Sequence, residues 1–468
     1  MDLLNTVNDI IWTYLLIGAL ILSAIYFTVR TRGVQFMMFG EMLRLLRDSG
    51  QKHDDPRESG ISDSRKVSSF QALSMSIASR VGTGNLAGVA TAIALGGPGA
   101  VFWMWVITLL GSVNAFVEST LAQLYKIKGP KSFIGGPAYY ISRGIGQRWW
   151  AVLFAILITV TFGFAYNSVQ ANTITAAVSV FGWDAATVGV IITLLALVII
   201  CGGVHRISRF SEVVVPVMAI GYVLLAVIII AINITRFPEI ICHIVSCAFT
   251  GEAAVGGGVG MTVMMGVKRG LFSNETGEGS APNAAATAAV SHPVKQGLIQ
   301  TLAVYIDTLL ICTCTAFIIL CSDVFNTGLS GISLTQAAID NALGFNAGSA
   351  FVAIAVFFFA FTSIIANYYY GEINLWFITP GRGWLYLYRF SVGAMVMIGS
   401  VSSLDFVWAF ADLTMALMTI CNLSAIIVLG KYALILLSDY RQQLSSGLDP
   451  EYHSSTIPSI ADVTTCWK

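Results

Sequence analysis

Eleven stretches of this chain run for about 20 residues with almost no charge, the length a helix needs to cross the hydrocarbon of a bilayer. They fall at about 10–30, 68–95, 100–125, 150–178, 185–203, 211–235, 248–267, 293–321, 347–368, 385–403 and 406–430. Lipid offers the backbone no hydrogen bonds, so spanning segments must satisfy their own, which makes them helices. Only 11% of the 468 residues are charged against 56% hydrophobic, where a soluble domain carries about 25% charged residues. The 44 glycines fit packed membrane helices. Lys+Arg and Asp+Glu both number 25, so neither a basic surface for nucleic acid nor an acidic tail is present. Eight scattered cysteines, among them Cys201, Cys312, Cys314, Cys321 and Cys421, lack disulfide or zinc spacing and read as small packing residues. The first run follows Asp2 and Asp9 and no small-residue cleavage site comes after it, so it reads as a retained helix and not a signal peptide.

Cations orient the chain. With the N-terminus outside and eleven crossings, Arg30 to Lys66, Lys126 to Arg148, Arg206 with Arg209, and the later Lys268, Arg269, Lys295, Arg382, Arg389, Lys431, Arg441 and Lys468 all share the inner side. That is 23 of 25 Lys+Arg, leaving Arg236 outside and Arg80 within a span. The expected fold is therefore all-α and polytopic, with the C-terminus cytoplasmic in a plasma membrane, a bacterial inner membrane by preference. Segment 31–67 reads as an amphipathic helix and linker in water. Residues 131–149 and 268–292 each have room for a short helix, and the last 38 residues read as a loose tail.

Two spans are interrupted. The second carries Ser79-Arg80-Val81-Gly82-Thr83-Gly84-Asn85-Leu86-Ala87-Gly88 and the seventh Ala254-Val255-Gly256-Gly257-Gly258-Val259-Gly260. The shared Val-Gly-x-Gly recurs at the start of two five-helix halves, and an odd number of helices inverts the second half. The resulting division is 1–66 (N-terminal helix and linker), 67–236 and 237–430 (the two repeats) and 431–468 (tail). Paired broken helices in corresponding positions point to a transporter's central site. Glycine lets the backbone leave helical geometry and frees N–H and C=O groups, which are tolerated at that depth only against a cavity or a ligand. A half-helix N-terminus suits a carboxylate, and facing carbonyls suit sodium. Close helix packing through small residues is the alternative for glycine alone; Arg80, Thr83 and Asn85 beside it favour a site. Gly82-x-Gly84 is no dinucleotide loop, because its third glycine comes one position late and no strand precedes it.

The Ser79–Gly88 segment, Gly-Gly-Pro-Gly-Ala-Val-Phe-Trp-Met-Trp at 96–105, Gly135-Gly136-Pro137-Ala138-Tyr139-Tyr140 and Phe272-Ser273-Asn274-Glu275-Thr276-Gly277 resemble the alanine or glycine:cation symporter family over nearly the whole chain. The resemblance implies a leucine-transporter-like fold with one extra N-terminal helix, and sodium-coupled uptake of small neutral amino acids. It implies that Thr83 and Gly84 hold the substrate carboxylate by backbone N–H groups, with Asn85 beside them and Gly256, Gly257 and Gly258 facing them. It places Gln170 at the substrate, with Phe164 and Asn167 on the same helical face, an interhelical hydrogen bond being the other use of these amides. For sodium it implies the carbonyls of Ala78 and Val81 with the hydroxyls of Thr362 and Ser363, unless those hydroxyls only bond their own helix; Asn85 is the candidate for a second sodium. One departure stands out: many members carry Gly-Trp where this chain has Ala366-Asn367. An Asn367 in the pocket keeps glutamine and asparagine open as substrates beside alanine and glycine.

Arg80 within a span calls for a counter-charge, with Glu118 and Glu252 preferred over Asp307 and Asp412, unless the arginine reaches water. Glu275 and Glu278 read as an inner gate with Lys268 or Arg269, or as a solvated loop. An intramembrane enzyme lacks a nucleophile–base pair or opposed acids at depth, and a channel lacks a filter loop or charge ring. No catalytic residue and no covalent cofactor are expected; the partners are sodium, a small neutral amino acid and lipid, and the oligomeric state is open.

Overall fold

The computed structural model describes residues 2–49, 67–129, 132–250, 258–322, 324–343 and 347–467. α1 (Asp2–Ile11) and α2 (Ile17–Arg30) are joined by a π-helical turn, and two short helices follow, α3 (Val34–Met37) and the amphipathic α4 (Phe39–Asp48). The first interrupted helix is α5 (Ser69–Arg80) and α6 (Val89–Gly96). α5 starts on a capping box in which Ser68 and Gln71 each accept the other's backbone N–H. α7 (Gly99–Leu124) runs to a small hairpin, β1 (Ile127–Lys128) with β2 (Phe133–Ile134), and to α8 (Pro137–Tyr140). α9 (Arg148–Val160) passes through a π-helical segment, Thr161–Tyr166, into α10 (Asn167–Ser179). Then come α11 (Ala185–Ile200), α12 (Val204–Ile232) and α13 (Phe237–Thr250).

The second half repeats the pattern of an interrupted helix followed by long ones. Its first pieces are α14 (Gly258–Asn274) and α15 (Ala281–Ala285). α16 (Pro293–Val304) continues through the π-helical Tyr305–Cys312 into α17 (Thr313–Cys321), followed by α18 (Gly331–Leu343). α19 (Ala347–Ile378), α20 (Arg382–Val401) and α21 (Leu404–Ser445) complete the bundle.

Among the described residues, eight helices are long and apolar enough to span a membrane. They coincide with eight of the eleven expected runs; of the other three, 68–95 is a broken helix, 185–203 holds the shorter helix Ala185–Ile200, and 248–267 is described only in part, so the count of eleven rests on the sequence. The polarity is that of a protein in lipid. Val213, Val217, Ile220 and Leu224 stand exposed along one face of α12, while Arg80, Glu118, Glu275 and Asp307 are buried. Cys201, expected to be buried, is exposed at the end of α11.

The tail departs most from expectation. α21 carries the chain on to Ser445, and the residues beyond it pack back on the ends of other helices. Tyr452 N–H donates to Ser291 O (2.9 Å), Trp467 Nε1 donates to Gln123 O (3.0 Å), and the Lys126 ammonium lies 4.2 Å from the centre of the Phe133 ring and 4.6 Å from Trp467. Lys295 reaches Asp449 at 2.8 Å. Apolar residues spaced through an otherwise polar tail (Tyr452, Ile457, Ile460, Trp467) are what bury it.

His292 holds this corner together. Its Nδ1 accepts the Val294 N–H (3.2 Å) as the cap of α16, and its Nε2 lies 3.1 Å from Asp439 Oδ2. Burial pushes the imidazole below its ordinary value of 6.5, against the pull of Asp439. The unfolded chain then takes the proton more readily, so this contribution to stability is complete above 6.5 and is lost as pH falls through the lower folded value. Thermal stability should therefore drop on acidification below 6.5. In His292→Asn, which keeps a capping oxygen but does not titrate, that part of the acid sensitivity should vanish; an unchanged acid limb would assign it to another group.

Candidate functional site

α5 stops because Val81 leaves helical geometry (φ −77°, ψ 89°), and the groups freed there are met by side chains. Asn85 Oδ1 accepts Gly82 N–H at 2.9 Å. Gln170 Oε1 accepts both the N–H (2.9 Å) and the hydroxyl (2.6 Å) of Thr83. Gly82 has no room for a side chain: a Cβ would overlap Ser363 Oγ and come within 2.8 Å of Gln170 Oε1.

Among the described residues, the second interruption lies downstream of the glycine run. α14 stays helical from Gly258 to Asn274 and breaks at Glu275–Ser280, where Glu275 (φ 55°), Gly277 (φ 78°) and Gly279 (φ 82°) adopt left-handed backbone. Gly258 opens α14 beside Gly96, whose carbonyl accepts the Thr262 hydroxyl, at the far end of the helix from the break. It therefore does not face Thr83. Gly256, Gly257 and Glu252 lie outside the described residues. What presses on Gly84 is Phe272 and Ser273, which a Cβ there would approach to 3.0 and 3.1 Å. At the break that is described, Gly277, Gly279 and Pro282 follow one another closely, which suits left-handed backbone and ends a helix.

Glu118 anchors this second break. Its carboxylate oxygens accept the N–H groups of Gly277 (3.3 Å) and Gly279 (3.1 Å) and the Asn422 amide (2.7 Å). Its expected ion pair with Arg80 is not made. Arg80 donates to Gln300, at 3.4 Å to the carbonyl and 3.3 Å to Oε1, and has no ion pair among the described residues. Glu118 already receives three donors, which is why it has no need of the guanidinium. Asp307 is likewise filled, by Asn85 Nδ2 (2.7 Å), Ser273 (2.7 Å) and Thr308 (2.8 Å). With its oxygen on Gly82 and its nitrogen on Asp307, Asn85 joins α16–α17 to the first break; the sodium role expected of it is not what its contacts describe.

The residues expected to bind sodium come together around one hydroxyl. Ser363 Oγ lies 2.8 Å from Ala78 O, 3.5 Å from Val81 O and 3.0 Å from Phe359 O. Three carbonyls converge on one hydroxyl that has a single proton, an oxygen-rich donor set suited to a hard cation. Thr362 instead turns its hydroxyl to Phe359 O on its own helix, at 2.9 Å. Asn367 bonds Ser79 and Asn167. Phe164 is not brought to the breaks; its ring packs toward Tyr388 of α20 at 6.3 Å. The π-helical segment just before α10 inserts an extra residue per turn, so Phe164 loses the face it was expected to share with Asn167 and Gln170. Tyr166 takes that place, its ring 4.5 Å from Phe272 and its hydroxyl 3.1 Å from Glu278.

Above the first break stands a roof that the sequence did not announce. Phe272 packs on Trp408 (4.7 Å), which also stacks on the Arg269 guanidinium (4.1 Å). Arg269 pairs with Asp412 at 2.7 Å, and Lys268 lies 3.9 Å from the same carboxylate. Lys268 and Arg269, counted with the inner loops and matched to Glu275 and Glu278, are thus buried in α14 and paired with α21. The signal was present as Asp412 within an apolar run, but no spacing links it to residue 269.

Two helices broken within a membrane bundle, with oxygens of α5 and α19 converging on Ser363 beside the first break, have the arrangement of a secondary transporter. The chain belongs to the sodium:alanine symporter family, whose model matches residues 1–454. It is 49% identical to the amino-acid carrier protein AlsT of Bacillus subtilis, over 99% of this chain and 97% of that one. Against the probable sodium/glutamine symporter GlnT of the same organism it is 47% identical over 98% and 94%. Against the sodium/alanine symporter AgcS of Methanococcus maripaludis the figures are 34%, 92% and 95%. A mutant manganese transporter of Eremococcus coleocola shares the fold, with a TM-score of 0.56 at 13% identity, over 90% of this chain and 96% of that one.

Removing one partner of a buried ion pair strands the other, at a cost of about 3–5 kcal/mol. Asp412→Ala should lower stability by about that amount, read as thermal unfolding in detergent. Arg269→Met combined with Asp412→Leu should recover most of it; no recovery would mean that Asp412 acts through something other than this pair.

Proposed function

We propose that this protein carries a small neutral amino acid, alanine or glycine, into the cell together with sodium by alternating access. The observation that carries this reading is the convergence of the Thr83 N–H and hydroxyl on a single sp² oxygen, Gln170 Oε1, at 2.9 and 2.6 Å. These are the donors a substrate carboxylate would take, at the positive end of the half-helix that follows. The substrate would displace the Gln170 carbonyl and leave that amide to turn toward the ammonium group. Gly84 lets Phe272 close against the backbone and keeps the space for a side chain small.

Sodium would sit among Ala78 O, Val81 O and the Ser363 hydroxyl, with Thr362 turning in from the next position. Binding there ties the end of α5 to α19. That contact gives the ion a means to favour one conformation, since a ligand shifts an equilibrium only through differential contacts. The cation-rich helix ends, including Arg44, Lys126, Lys295 and Arg441, would face the cytoplasm, with the N-terminus outside. Residues 67–236 and 237–430 would act as the two inverted repeats.

Asn367 bears on the choice between alanine and glutamine. Its oxygen is committed to Ser79 and its nitrogen to Asn167, so it has little to offer a substrate amide. Similarity to GlnT makes glutamine the competitor to test. In proteoliposomes, Ser363→Ala should raise the sodium concentration for half-maximal alanine uptake about tenfold, the effect of losing about 1.4 kcal/mol. Unchanged sodium dependence in a folded variant would remove Ser363 from the ion site. Excess glutamine should leave labelled alanine uptake nearly unaffected; strong competition would replace the small pocket by a larger one that includes Asn367.

A further inference from the structure

A chain of hydrogen bonds crosses the centre of the molecule, and its direction is set at one end. Asn167 Nδ2 donates to Gly163 O at 3.2 Å. A backbone carbonyl can only accept, so Asn167 must turn its nitrogen to Gly163 and its oxygen to Asn367. Asn367 Nδ2 then donates to Asn167 Oδ1 (3.2 Å), which leaves Asn367 Oδ1 facing Ser79 Oγ at 2.8 Å. That oxygen has no proton, so Ser79 must donate to it. Ser79 Oγ is also 2.7 Å from Glu275 Oε1, and its single proton is already used. Two oxygens at that separation need a proton between them. Only the carboxyl is left to supply it.

We propose that Glu275 is a proton-binding site of the transport centre: its carboxyl carries a proton in this conformation and donates it to Ser79. Its other oxygen accepts the Ser280 hydroxyl at 2.6 Å, which completes a neutral acid with one donor and one acceptor used. Glu275 is one of two non-glycine residues with left-handed backbone among those described, a conformation that persists only where surroundings impose it. The titratable groups facing it are Arg80 from α5, Asp307 from the segment between α16 and α17, Tyr370 from α19 and Glu278 from its own loop, with Glu118 and Tyr166 behind Glu278. Four buried carboxyls thus share one guanidinium, and holding one of them neutral reduces the uncompensated charge.

The proton has a mechanical consequence. Ser79 and Glu275 belong to the two breaks, whereas Asn367 and Asn167 belong to the continuous helices α19 and α10. Ionised Glu275 would draw the Ser79 proton to itself and leave Asn367 Oδ1 against a bare oxygen. Protonation therefore links the broken helices to the continuous pair, and loss of the proton releases them. Acid conditions favour the linked conformation.

This deepens the proposed transport cycle by adding a second ion to it, but its first test needs no transport. Infrared difference spectra of the purified full-length protein at neutral pH should contain the C=O stretch of a hydrogen-bonded carboxylic acid. That band should disappear in Glu275→Gln and shift to higher frequency in Ser79→Ala, which removes its acceptor. An acid band indifferent to both substitutions, or no acid band at all, would overturn the proposal, whichever amino acid is carried. In proteoliposomes, uptake by the wild type should fall as pH rises, and Glu275→Gln, whose amide reproduces the protonated acid, should flatten that limb. An identical alkaline limb in the variant would also count against the proposal. If Glu275→Gln does not fold, the Ser79→Ala band shift decides.

Discussion

The fold depends on one constraint: backbone groups freed inside a membrane must be satisfied from within the protein. Two helices are broken here, and each break is closed by side chains from other helices. Asn85 and Gln170 take the N–H groups of Gly82 and Thr83. Glu118 takes those of Gly277 and Gly279, and Asn422 reaches both Glu118 and the Gly277 carbonyl. Leaving such a group without a partner in lipid costs several kcal/mol, so these buried polar residues are as much a condition of the fold as the apolar spans. In the proposed transport cycle the same groups are what a ligand would exchange for its own.

Charge follows from that requirement. Three of the buried acids are matched to hydrogen-bond donors and not to arginine: Glu118 to backbone and Asn422, Asp307 to Asn85, Ser273 and Thr308, Glu278 to Tyr166. The close ion pair in the centre, Arg269 with Asp412, joins α14 to α21 under the Trp408 ring. It ties the helix that carries the second break to the last long helix, directly above Phe272.

Much of the fold was legible in the sequence. Apolar length picked out all eight of the long spans, and the polar Gly-x-Gly of residues 82–84 marked the first break. Of the four residues named together for sodium, the Ala78, Val81 and Ser363 oxygens lie close to one another while Thr362 bonds its own helix. The expected interruption at 254–260 lies mostly outside the described residues, and its described end, from Gly258, is already inside α14. The chain breaks where Gly277 and Gly279 are backed by Glu118, a residue 159 positions away from Gly277. Phe164 was misassigned because a π-helical segment shifts the face of a helix, and that shift leaves no trace in a 3.6-residue period. The part of the tail beyond Ser445 was read as loose because Tyr452, Ile457, Ile460 and Trp467 are spaced among polar residues, whereas Ala433 to Leu437 is an apolar run that continues α21.

The sequence by itself determined that the chain lies in a membrane, that it is helical, and which family it belongs to. These properties follow from local composition, from periodicity and from short motifs. Only the tertiary structure decided which polar groups meet. Ser79 and Glu275 are 196 residues apart, and Ser79 and Asn367 are 288 apart. Hydrogen bonds are directional and short, so their pairing depends on how the helices are packed and turned about their axes. Buried in lipid with no water to substitute, each partner must be the right one.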